Sequence, residues 1–251
     1  MCTNFSSTSQ REWFERKLKK QVPSNYPAEA YPGFEAPILK AKAGQIEEVI
    51  SLAQFGLIPA WAQDEKIARH TYNARSETVQ HKPSFQGAYR ERRFAVVLLD
   101  DFFEPCYETG QIVRHRIQMK SGEPFGVACL WERWLSKRKD ERHQTIDSFT
   151  MLTLNADAHP VMNKMHAPGE EKRSPLVLTV DQFDLWLAAS HVQAQALLTG
   201  AYMPELISSP APKERRAKAP SAAVQSDTSG AQGSLFLKIQ GCQLEIFFSV
   251  R

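Results

Sequence analysis

The sequence predicts an α+β domain with a dominant, mostly antiparallel β-sheet system and peripheral helices. Three observations predict it. Short runs rich in β-branched and aromatic residues recur along most of the chain. Helical patterns are fewer. Apolar residues make up 42% of 251 positions, enough for one large core.

Arg11–Gln21 has the spacing of a helix. Ala36–Ala41, Phe94–Asp100, Arg114–Lys120, Phe125–Leu130, Ser148–Leu154 and Pro175–Thr179 read as strands. Leu130–Arg142 reads as a helix ending in the solvated run KRKDER. Asp181–Ala189 reads as another, opening on an acidic cap-like residue with Phe183, Leu185 and Trp186 at helical spacing. The folded domain is therefore placed at residues 2–207. Ser208–Ser234 has three prolines and no aromatic residue, so it cannot bury enough apolar surface to offset its ordering entropy and reads as a disordered linker. Residues 235–251 read as a short hairpin or a docking peptide around Gln240-Gly241.

Charge narrows the function. The chain has 31 basic and 28 acidic residues, a net of +3, but residues 1–207 hold 25 of each and the last 44 hold 6 and 3. A basic coat for nucleic acid is excluded, and any anion must be bound by a few placed residues. No apolar run reaches the length of a membrane span, and the N-terminus lacks a signal-peptide pattern, so a cytoplasmic monomer is expected, away from membranes. Cys2, Cys106, Cys129 and Cys242 form no CxxC pair. Cys106 and Cys129 read as small semi-buried hydrophobes. No Gly-rich phosphate loop, dinucleotide fingerprint or paired-His zinc helix occurs, and His159 and His166 straddle a proline at poor spacing for a shared metal. No cofactor or metal is expected.

Cys2 stands out. Removal of Met1 would leave a cysteine with a free α-amine beside its thiol. The amine's pKa is about 7.7–8.0 against about 10.4 for lysine, so its neutral fraction near pH 7 is roughly a few hundred times larger. It can form a Schiff base with an aldehyde, and the thiol can close onto the imine carbon as a five-membered thiazolidine. A second cluster adds polar groups. TYNARSET puts Asn73, Arg75 and Glu77 on one face of a strand. Glu104 follows an apolar strand in DFFEP, where burial would raise its pKa into the general-acid range. His166 precedes RSPLVL.

In order, FGLIPAWA, NARSET, a strand ending in aromatic-Glu, FGVACLW, FTMLTLNAD and a His ahead of an Arg-x-Pro-aliphatic strand resemble the SRAP family, the SOS-response-associated peptidases or abasic-site processing proteins. The resemblance covers roughly residues 2–190. It implies a barrel-like core, single-stranded DNA binding and covalent capture of abasic sites by Cys2, with autoproteolytic loss of Met1. It further implies that Asn73 holds the terminal amine and the opened sugar, and that Glu104 acts as acid/base. His166 would open the sugar ring and shuttle protons, and Arg75 and Arg173 would bind flanking phosphates. Trp61, Tyr72 and Phe85 are candidate stacking platforms. The chain departs from the family at Thr3-Asn4, where Gly-Arg is usual, at Phe55 for Trp, and at Asp101 and Pro105 in DFFEP. APGEEK also intervenes between His166 and Arg173.

Two other readings use the same residues: a cysteine peptidase acting in trans with His166 as base, and a DNA-binding module without chemistry. In the tail, Gln232-Gly233-Ser234-Leu235-Phe236 resembles a short peptide that docks on the replication sliding clamp, which would bring the protein to the nucleoid.

Overall fold

The computed structural model describes residues 2–41, 48–136, 145–199 and 203–213. In chain order the elements are β1 (Phe5–Ser7), α1 (Arg11–Leu18), β2 (Glu29–Ala30), β3 (Glu35–Ala41), β4 (Glu48–Phe55), β5 (Asn73–Arg75), α2 (Gln86–Arg90), β6 (Phe94–Cys106), β7 (Val113–Met119), β8 (Phe125–Leu135), β9 (Thr145–Asn155), β10 (Arg173–Pro175), β11 (Val177–Leu178), α3 (Phe183–Leu187), α4 (His191–Leu197) and β12 (Leu206–Pro210).

Five strands close a barrel, as the resemblance implies. β3 pairs with β4 and β6, β6 with β8, and β8 with β9, all antiparallel. β9 returns to β4 in parallel through Gln54↔Ser148 and Phe55↔Phe149. Closure leaves these five strands without a free edge over the paired stretch.

β6, most of β8 and Ser148–Leu154 of β9 are buried on both faces, which is why they read as continuous apolar runs rather than strict alternations. Along β6, Ala95, Val97 and Leu99 join one core with Ile38, Phe55, Phe125, Val127, Phe149 and Met151. Phe94, Val96 and Leu98 join a second core with Phe14, Phe183 and Trp186. Small side chains at Ala36, Ala53 and Ala95 leave room in the first core for Phe55 stacked on Phe149 at 5.2 Å. The helices clamp the second. Trp186 of α3 is fully buried and donates from Nε1 to the Ala95 carbonyl at 2.9 Å.

What positions the site is the half of β6 that leaves the barrel. Phe94–Leu99 pair with β8, whereas Phe102–Cys106 pair with β7. On the other edge of this extension β1 lies antiparallel, with Phe5 opposite Phe102. The N-terminus is thereby drawn alongside Glu104. β5 and β10 both pair with β9, at Asn73↔Met151 and Arg173↔Asn155.

Several expectations need correction. Leu130–Leu135 is not helical but continues β8, because the edge of β9 is there to pair with it and Trp134 goes inward while Arg133 and Leu135 stay exposed. Residues 137–142 of that expected helix lie outside the described set. The strand expected over Pro175–Thr179 is two pieces, β10 and β11, because Leu176 passes the chain from β9 to β8. The expected helix at Asp181 is preceded by a 3-10 turn whose capping box is Thr179 with Gln182. Ser208–Pro210, expected at the start of a linker, are in β12 and pair with β7. The remainder of that linker from 214, and the 235–251 segment with its Gln232–Phe236 motif, lie outside the described residues. Among the described residues no helix is long and apolar enough to cross a membrane.

Candidate active site

Cys2 has no exposed surface and packs in the first core with Phe5, Ala30, Phe102 and Cys106. Its thiol donates to the Asn4 carbonyl at 3.5 Å. Burial pushes the thiol pKa far up, and the negative charge of Glu104 adds to the effect. Cys2 is therefore a neutral thiol at physiological pH. Met1, and with it the expected removal of Met1, lies outside the described residues.

Asn73 reaches Cys2 from β5. Its Nδ2 donates to the Cys2 carbonyl at 2.6 Å. Its Oδ1 is buried and has no hydrogen-bond partner among the described residues, so one acceptor remains aimed into the site. Parallel pairing of Asn73 with Met151 fixes the side chain at the barrel end.

Glu104 sits within β6 rather than after it, and is buried. Burial raises its carboxyl to about 7. Its Oε2 lies 3.3 Å from Nε2 of His166. Burial lowers the His166 imidazole to about 4, so both groups are held neutral in weakly acidic solution. His166 occupies left-handed backbone space at φ 64°, and its N–H donates to the Pro105 carbonyl at 2.9 Å. A β-bridge between Cys106 and Met165 sets the same approach. The four residues of the expected chemistry thus converge from four separated stretches of sequence.

The expected phosphate arginines differ. Arg75 is 52% exposed on its side chain and pairs with Glu171 at 3.0 Å. Arg173 is only 2% exposed. It donates to both oxygens of Glu77 at 2.8 and 3.0 Å, to Glu171 at 2.7 Å and to the Thr153 carbonyl at 2.6 Å. Of the three aromatic candidates, Trp61 is 53% exposed, Phe85 is buried and Tyr72 packs edge-on against Phe55. Asn4, which stands where the family usually has arginine, accepts at Oδ1 from Arg114 of β7 at 2.6 Å.

Three residues had no sequence signal as site groups. His115 lies opposite Glu104 in the β6–β7 ladder. Lys172 donates from Nζ to the carbonyls of His166 and Ala167 at 3.0 and 2.8 Å, holding the turn that carries His166. Glu171 bridges the arginines. The latter two lie in APGEEK, which reads in sequence only as an interruption.

The SOS response associated peptidase (SRAP) family model matches residues 1–214. The chain is 31% identical over 135 residues to abasic site processing protein YoaM of Bacillus subtilis, covering 53% of this chain and 54% of that protein. It is 25% identical over 213 residues to abasic site processing protein HMCES of Rattus norvegicus, covering 75% and 56%. The chain thus spans about half the length of the curated relatives it matches. A crystal structure of a protein from Bordetella bronchiseptica superposes with a TM-score of 0.74 at 26% identity, covering 84% of this chain and 99% of that one.

Proposed function

Because the chain belongs to the SOS response associated peptidase family, we propose that it captures abasic sites in single-stranded DNA by forming a thiazolidine at Cys2 after Met1 is removed. The observation that carries this reading is the Asn73 bond to the Cys2 carbonyl beside the Glu104–His166 pair. In this reading these groups serve an α-amine on Cys2 rather than an isolated thiol.

An abasic deoxyribose is in equilibrium with a ring-opened aldehyde. In this reading His166, neutral near pH 7, takes the proton of the anomeric hydroxyl and returns it to the ring oxygen as the C1–O4 bond breaks. The α-amine adds to the aldehyde carbon. Oδ1 of Asn73 accepts a hydrogen bond from the amine and orients its lone pair. Glu104, protonated up to about pH 7, donates to the carbinolamine hydroxyl, which leaves as water and gives the Schiff base. Sulfur of Cys2 then adds to the carbon of the N-protonated imine, and the thiol proton returns Glu104 to its acid form. The net change is aldehyde plus aminothiol to thiazolidine plus water. Arg75 holds a flanking phosphate and Trp61 stacks a base.

A peptidase acting in trans needs a thiolate with His as its partner. Here burial disfavours the Cys2 thiolate, and His166 is paired with Glu104. The test mixes full-length protein with single-stranded DNA carrying one abasic site and resolves the products on a denaturing gel. A retarded band that disappears in Cys2→Ala is expected. An intact wild-type protein whose mature N-terminus is Cys2 and which gives no band refutes the reading.

A further inference from the structure

The segment between His166 and Arg173 is tied down at several points. Gly169 turns it at φ 82°, and the Glu170 N–H donates to the Ala167 carbonyl at 3.2 Å. Lys172 is held through its side chain on the His166 and Ala167 carbonyls, and through its backbone on Asp157 and Ala156. The residue this frame presents is Glu171. One oxygen lies 3.0 Å from Arg75 Nη1 and the other 2.7 Å from Arg173 Nη1. Thr153 lies opposite Arg75 on one side of β9 and opposite Pro175 on the other, so the two arginines approach one carboxylate from neighbouring strands.

A carboxylate held by two guanidiniums has the charge and hydrogen-bond demand of a phosphate oxygen pair. We propose that Glu171 occupies the seat of a DNA phosphate between Arg75 and Arg173, and that a bound strand must displace it. The inference rests on the DNA reading above. Arg173 keeps its bidentate pairing with Glu77 when Glu171 leaves, so its charge stays compensated and Arg75 carries the uncompensated positive charge. Glu171 thereby weakens binding to intact single strands. It leaves durable attachment to the covalent step, which only an abasic site permits, and so acts as a residue determining selectivity.

The test is fluorescence anisotropy of a labelled oligothymidylate without an abasic site, using full-length wild type, Glu171→Gln and Glu171→Asp. Glu171→Gln is expected to bind roughly tenfold tighter, since one charge-assisted contact is released to the phosphate. Its plot of log affinity against log salt should steepen by about 0.7, the increment for one further phosphate neutralised on a single strand. Glu171→Asp, whose shorter side chain loosens the bridge, should fall between. In an Arg75→Gln background the gain should shrink. If wild type crosslinks abasic DNA while Glu171→Gln binds oligothymidylate no tighter than wild type, the displacement idea is overturned and the function stands. If wild type neither binds nor crosslinks, both fall.

Discussion

Nδ2 of Asn73 donates to the carbonyl oxygen of Cys2 across 71 residues of sequence. This single bond joins the end of the barrel to the N-terminal segment and sets where an α-amine on Cys2 would project. Asn73→Ala removes the donor together with Oδ1, the acceptor that has no partner among the described residues. Crosslinking should slow by roughly ten- to a hundredfold, as expected for losing a buried hydrogen bond at a reacting group. A gel time course measures it, and wild-type speed in Asn73→Ala would assign the contact to folding alone.

The amine and the thiol have separable tasks. Cys2→Ser keeps the amine but replaces sulfur with a poorer nucleophile for imine closure. It should give an adduct that survives denaturation only after borohydride reduction, whereas the wild-type adduct survives without it. A Cys2→Ser adduct as durable as wild type, without reduction, would show that sulfur closes no ring.

Burial of Glu104 predicts a pH dependence of stability. Its folded pKa is raised above the ordinary carboxyl value to about 7. The stability associated with its proton is therefore complete below the ordinary value and is lost as pH rises through 7. Glu104→Gln keeps the shape and removes the ionisation. It should match wild type near pH 4 and be more stable at pH 8, by roughly 3 kcal/mol at most. Thermal denaturation at the two pH values checks this, and equal offsets at both would place the cause elsewhere. His166 works in the opposite direction. Its folded value is lowered to about 4, so its contribution is present above the ordinary imidazole value and lost as pH falls.

Gly56 is required by geometry. It sits at φ 117°, and a Cβ there would lie 2.4 Å from the Ala68 carbonyl oxygen. Gly56→Ala should cost about 3 kcal/mol or more, from strain and backbone collision together. Gly33, at φ 94° with nothing near its would-be Cβ, should lose only about 1 kcal/mol as alanine. Urea denaturation of both variants separates strain from collision, and equal losses would remove the collision from the account.

Much of this was legible in sequence where the signal is local. Phe94–Asp100, FAVVLLD, is apolar enough to read as a doubly buried strand, though its continuation to Cys106 is not legible there, and the NAR of NARSET alternates as a short strand should. The chemistry of a cysteine next to the initiator Met follows from bonded neighbours alone. The Leu130–Arg142 expectation failed because helical spacing in LWERWL competes with a pairing partner, β9, that the local sequence does not contain.

The sequence by itself therefore determined the family and the strands that became β3, β6, β7, β8 and β9, and it singled out Cys2, Asn73, Glu104 and His166 as the groups expected to carry the chemistry. The tertiary structure decided their states. Burial, a property of the whole packed chain, keeps Glu104 protonated up to about pH 7 and holds the Cys2 thiol protonated. It also decided what the six residues after His166 do. In sequence they separate a histidine from an arginine. In the fold, pairing on both sides of β9 brings Arg75 and Arg173 together, and Glu171 lies between them because Lys172 fixes the turn beside it.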